Sequence, residues 1–145
     1  MRMLEKHTDG GSESNVTGYW LIELKNLFSI VLLRFGPGCR ENYHSHAFNA
    51  LTWFLKGRVV EDRIYNDAKF TMNVFGPSLI PKYTARDNLH KVINHSREPV
   101  WALSFRGPWA STWFEYNEDN DETLVLTHGR NVVATKVGLP FTKDS

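Results

Sequence analysis

Two histidines separated by one residue, His44 and His46, stand in the run Gly38-Cys-Arg-Glu-Asn-Tyr-His44-Ser-His46. On an extended chain, side chains at i and i+2 project from the same face, so both imidazoles can offer a ring nitrogen to one ion. That is metal chemistry, and it needs at least one more ligand from a different strand. Neutral imidazoles suit iron, nickel, copper and zinc alike, so ligand type leaves the metal open among these four.

The elements that must position such a site read as strands. Gly18 to Leu24 and Phe28 to Phe35 are rich in β-branched and aromatic residues and flank Lys25-Asn26-Leu27, a hairpin turn. Gly36-Pro37-Gly38 stops the second run. Further strands are expected from about Tyr43 to Lys56, from Arg58 to Tyr65, and from Lys69 to Phe75, where Phe70, Met72 and Val74 alternate with polar residues. His90 to Asn94, Val100 to Arg106, Ser111 to Tyr116, Thr123 to Thr127 and Asn131 to Thr135 complete the set. No run combines helical period with length, so many short strands with Gly and Pro punctuation predict an all-β sandwich or barrel.

Counting by two from His44 sends His46, Phe48, Ala50, Thr52 and Phe54 to the interior. Leu51, Trp53 and Leu55 fall on the other face, too apolar for water, and are expected to cover another subunit or a second layer. The polar, glycine-rich residues 1–17 read as a mobile arm, residues 18–137 as the domain, and residues 138–145 as a short tail.

The glycine, His-x-His and glycine spacing, Gly38, His44, His46 and Gly57, resembles the first signature of the cupin superfamily. His90-Lys-Val-Ile-Asn94 resembles the end of the second. Together the two cover residues 38 to 94. The resemblance implies a single-domain double-stranded β-helix, the jelly-roll barrel, with His90 as third ligand. It departs from the family in two places. Ala50 stands where cupins carry a glutamate ligand, which leaves a three-histidine site, and Ala85-Arg86-Asp87 replaces the usual Pro-x-Gly. A three-histidine set without carboxylate is similar to that of the thiol dioxygenases. The likeness implies one divalent ion, with Fe(II) favoured, and a dioxygenase-type oxidoreductase acting on a small anionic molecule. A non-catalytic metal or small-molecule binding module, or a metal-dependent isomerase or lyase, are the alternatives. Dimers are common among cupins, which implies a homodimer through the Leu51, Trp53, Leu55 face.

An anionic substrate calls for cationic and phenolic partners. Arg34, Arg86 and Arg106 lie near strand ends and can grip a carboxylate by two parallel N–H bonds, while Tyr83 and Tyr43 are candidate phenol donors. His7, His95 and His128 are expected on the surface. Most of the aromatic segment Trp101 to Tyr116 is expected in the core, with some rings walling the cavity.

Composition narrows the partners. The chain has 145 residues and a net charge of +1 from 17 basic and 16 acidic residues. No overall field draws it to nucleic acid or anionic lipid. No window approaches a membrane span, and the N-terminal residues lack the apolar stretch of a signal peptide, so the expectation is a soluble cytoplasmic protein. A single cysteine, Cys39, forbids an internal disulfide and suits a reducing compartment.

Overall fold

The structure, a computed structural model, describes residues 2–11, 14–39, 42–66 and 68–141. The described residues form thirteen strands, numbered in chain order: β1 (Arg2–Thr8), β2 (Val16–Leu24), β3 (Phe28–Phe35), β4 (Tyr43–His44), β5 (Ala50–Lys56), β6 (Val59–Ile64), β7 (Phe70–Phe75), β8 (Lys82–Thr84), β9 (Leu89–Ile93), β10 (Val100–Arg106), β11 (Thr112–Asn117), β12 (Glu122–Thr127) and β13 (Asn131–Val137). They form two antiparallel sheets, ordered β1-β2-β3-β10-β5-β8 and β13-β12-β11-β4-β9-β6-β7. This is the expected all-β jelly roll. No helix among the described residues is long and apolar enough to cross a membrane.

Strand parity decides what lies between the sheets. In β3, Ser29, Val31, Leu33 and Phe35 are buried while Ile30, Leu32 and Arg34 are only partly so. Val31, Leu33 and Phe35 join Trp20, Phe54, Val59, Val100 and Ala102 in one apolar cluster. Fully burying a side chain such as Val31 or Leu33 contributes about 1.5–3 kcal/mol. Gly57 turns the chain from β5 into β6 at φ +84°, and a Cβ there would lie 2.8 Å from Val100 Cγ2. Only glycine meets both demands.

The structure corrects four sequence expectations about the fold. The run from Tyr43 to Lys56 is not one strand: β4 belongs to one sheet and β5 to the other, and the chain crosses between them through residues 45–49. Ser45 N donates to Phe114 O and His46 N to Arg86 O along that crossing. In β7, read as a half-buried strand, the alternating apolar residues Phe70, Met72 and Val74 are exposed, while Phe75 on the other face packs against the core. A strand of three residues, β8, was not anticipated.

Residues 2–8 form β1, paired with β2 from Arg2↔Glu23 to Thr8↔Thr17, where a mobile arm was expected. Backbone hydrogen bonding holds this strand with little burial, so it leaves no apolar pattern to read. Met1 and residues 12–13 of the expected arm, and residues 142–145 of the expected tail, lie outside the described residues. Leu139 and Phe141 of the tail pack against Tyr43, Ile64, Leu89 and Tyr116.

Candidate metal centre

The two motifs meet through the register of β4 and β9. His44 pairs directly with His90 across the ladder, and the motif ends are joined as well. Gly38 and Asn94 exchange backbone hydrogen bonds of 2.9 Å each way. The Asn94 amide then donates to Phe35 O at 3.1 Å and Glu98 O at 2.8 Å. The second signature's asparagine therefore ties the loop after β9 to the end of β3.

The rings of His44, His46 and His90 stand 4.9–5.1 Å apart, centre to centre. Their ligand nitrogens all lie within 4.8 Å of one another. His46 Nε2 and His90 Nε2 are 3.0 Å apart. Two nitrogens bound at about 2.1 Å and a right angle to one ion would show about 3 Å. That pair has the spacing of two ligands on one ion, and with His44 beside it the trio is a candidate site for a divalent metal.

A buried carboxylate orients the third imidazole. Glu61 on β6 lies diagonally across from His90, whose direct partner there is Arg63. Glu61 Oε2 accepts from His90 Nδ1 at 2.6 Å and from Lys82 Nζ at 2.7 Å. Burial alone would raise the Glu61 pKa, but the His90 hydrogen bond and the Lys82 charge hold it down at about 2. An ionised acceptor fixes the proton on His90 Nδ1 and turns the Nε2 lone pair to the cluster. Burial also lowers the His90 pKa, against the opposing pull of Glu61, and so favours the neutral ring that binds metals. Lys82 belongs to β8 in the opposite sheet, so its ion pair with Glu61 closes the sandwich at the metal end.

The trio opens on a cavity lined also by Phe48, Ala50, Thr52, Phe54, Arg106 and Trp109. It offers about 190 Å³ to the centre of a water-sized sphere. One water needs roughly 10–15 Å³ on that measure, so the space takes a small molecule beside an ion. Every residue assigned inward by parity, His46, Phe48, Ala50, Thr52 and Phe54, lines it. Trp109 and Trp113 of the aromatic segment wall it too.

Of the expected gripping residues, Arg106 alone reaches this cavity. Arg34 shares parity with Ile30 and Leu32, on the outward side of β3. Arg86 is exposed and contributes backbone: its N donates to Asn49 Oδ1, and its carbonyl accepts from His46 N. Tyr83 lies outward on β8, between the inward Lys82 and Thr84. Tyr43 is buried behind the site against Tyr116, with its pKa pushed up to about 12, first by burial. His7, His95 and His128 are exposed, as expected.

Sequence reasoning missed Glu61, Lys82, Asp9 and Arg130, all of which line the cavity. Parity from the β6–β9 register would have found Glu61, but register is not visible in a single chain.

No family model and no curated protein matches the sequence. Solved structures do match in fold. A sugar phosphate isomerase of the cupin superfamily from Silicibacter pomeroyi aligns over 94% of this chain and 92% of its own, with TM-score 0.60 and 16% identity. An oxalate decarboxylase variant from Bacillus subtilis aligns over 73% of this chain but 28% of its own, with TM-score 0.56 and 11% identity. CapF with an inhibitor aligns over 72% and 30%, with TM-score 0.53 and 14% identity. The chain therefore has the cupin fold, and its three clustered histidines occupy a site where a divalent metal can bind.

Proposed function

We propose that this protein is a mononuclear metal-dependent enzyme of dioxygenase type, holding Fe(II) through His44, His46 and His90 and acting on a small anionic molecule. One observation carries the reading: three imidazoles from converging strands, one of them oriented by a buried, ionised glutamate. A divalent ion held by neutral ligands keeps its full charge and open positions, and supplies Lewis-acid or oxygen chemistry there. The chain's own residues orient the imidazoles, exclude bulk water by Phe48 and Phe54, and hold the His90 proton on Nδ1 through Glu61.

The test is metal content after ferrous reconstitution, with nitric oxide as an oxygen surrogate. One iron per chain giving the half-integer-spin signal of an iron nitrosyl, absent in His44→Ala, supports the proposal. Iron that binds without that signal, or binds equally well to His44→Ala, overturns it.

A second reading, a metal-dependent isomerase or lyase, draws on the neighbour named as a sugar phosphate isomerase, which matches nearly the whole chain. It predicts turnover that is sustained by zinc or nickel and consumes no oxygen.

The proposal extends to assembly. Leu51 and Leu55 are exposed, and Trp53 stands beside exposed Phe105 at 5.5 Å on the same outer face. A homodimer through this face predicts that Leu55→Glu shifts sedimentation from dimer to monomer. A wild-type monomer at micromolar concentration would sink it.

A further inference from the structure

A second polar cluster lies one ring away from the imidazoles. Phe48 stacks on His46 at 5.2 Å, and the Arg106 guanidinium carbon lies 4.5 Å from the centre of the same phenyl ring. The Arg106 side chain is only 4% exposed, and a charge so placed requires a partner. Its Nη2 donates to Asp9 Oδ2 at 2.7 Å. Its Nε is buried and has no hydrogen-bond acceptor among the described residues.

The geometry of arginine gives this imbalance meaning. A guanidinium grips a carboxylate through two parallel N–H bonds from one edge, here Nε and Nη2, and Asp9 uses one of them. A second donor is idle nearby. Trp109, 5.5 Å from Phe48 and lining the same cavity, has a buried indole N–H without an acceptor among the described residues. The other cavity arginine, Arg130, is occupied by Glu115 at 2.6 Å.

We propose that Arg106 is a carboxylate-binding subsite that Asp9 fills from within the chain, and that the cavity's ligand carries a carboxylate that displaces Asp9. Exchanging one carboxylate for another leaves the buried charge balanced, and the incoming group can make the second N–H bond. Asp9 lies between β1 and β2 with its side chain 27% exposed, so on release it passes to water at little cost. Being tethered, it competes at an effective concentration of roughly millimolar order, which weakens the apparent affinity for any ligand. Given the metal-centre reading above, the other end of the ligand meets the imidazole trio, so the substrate class is a short molecule with a metal-binding group at one end and a carboxylate at the other.

Glutarate is a suitable probe, with butyrate and glutaramide as controls, titrated calorimetrically into metal-free and zinc-loaded protein. In the metal-free protein, Asp9→Asn and Asp9→Ala are expected to bind glutarate about tenfold or more tighter than wild type. Glutaramide gains nothing, and Arg106→Lys, which keeps the charge but loses the fork, binds weakly. Unchanged or weaker glutarate binding in both Asp9 variants, with wild-type circular dichroism, overturns the subsite, as does undiminished binding in Arg106→Lys. Zinc is expected to tighten glutarate further and leave butyrate unchanged. Failure of zinc to bind at all sinks the metal-centre reading and leaves the Arg106 subsite standing on the metal-free data. Zinc that binds without tightening glutarate overturns the placement of the ligand's second end.

Discussion

At one end of the cavity Glu61 is clamped between His90 at 2.6 Å and Lys82 at 2.7 Å; at the other, Asp9 reaches Arg106 by a single bond of 2.7 Å. Both are acidic groups neutralising a buried cation, yet their supports differ. Glu61, His90 and Lys82 come from three strands in both sheets, and each side chain is at most 11% exposed. Asp9 comes from the connection after an edge strand and is partly in water. A carboxylate fixed by the barrel itself orients a ligand, whereas one on a peripheral connection can be exchanged. The same ion-pair chemistry thus serves positioning at one end and replacement at the other.

Removing an imidazole should produce the largest effect. His46→Ala or His90→Ala is expected to lower metal affinity by more than the 10–100-fold typical of losing an outer partner, read by competition with a chromophoric chelator. Metal binding as tight as wild type would show that the ion does not sit among these rings.

Next comes the clamp. Glu61→Ala leaves Lys82 and His90 facing each other without a counter-charge, and should cost about 3 kcal/mol in urea unfolding together with roughly 10–100-fold in metal affinity. Glu61→Gln should recover part of the stability and less of the affinity. The contrast with Asp9→Asn sharpens the comparison: the amide oxygen can still accept from the buried Arg106 and Asp9 itself is partly in water, so the expected loss of stability is about half that of Glu61→Ala. Equal losses at the two positions would erase the distinction between a fixed and an exchangeable carboxylate.

The smallest effect concerns the packing behind the metal end. Tyr116 has its pKa pushed up to about 12 by burial and by its hydrogen bond to Asp121. The neutral phenol is the form the fold favours. Its contribution is complete below the unfolded pKa near 10 and is lost as pH rises from there towards 12. Tyr116→Phe should therefore flatten the alkaline fall in stability between roughly pH 10 and 12, followed by circular dichroism. An unchanged profile would place the alkaline transition elsewhere.

How far the site was legible depends on how local each signal is. The run from His44 to Phe54 exposed its inner face because strand parity survives even where the chain changes sheets, as it does between β4 and β5. The same rule reads two ways in β3, where Phe28, Ile30 and Leu32 beside Arg34 are apolar enough to pass for an inner face while Val31, Leu33 and Phe35 hold that role. In β7, alternation was correctly seen but Phe70, Met72 and Val74 face outward, because parity defines two faces without saying which one another sheet covers. β1 was invisible because backbone pairing, unlike burial, leaves no mark on composition. Glu61 and Lys82 looked like ordinary charged strand residues until the strands beside them were known.

By itself the amino-acid order determined most of the strands, their turns and the shared face of His44 and His46, because backbone preference and two-residue periodicity act over a few neighbouring positions. The folded chain alone decided that His90 faces His44, that Glu61 and Lys82 meet from opposite sheets, and that Asp9 reaches Arg106. Those contacts join residues 21 to 97 positions apart, across strand registers set by the packing of two whole sheets, and such registers are chosen by the total buried surface, not by any local segment.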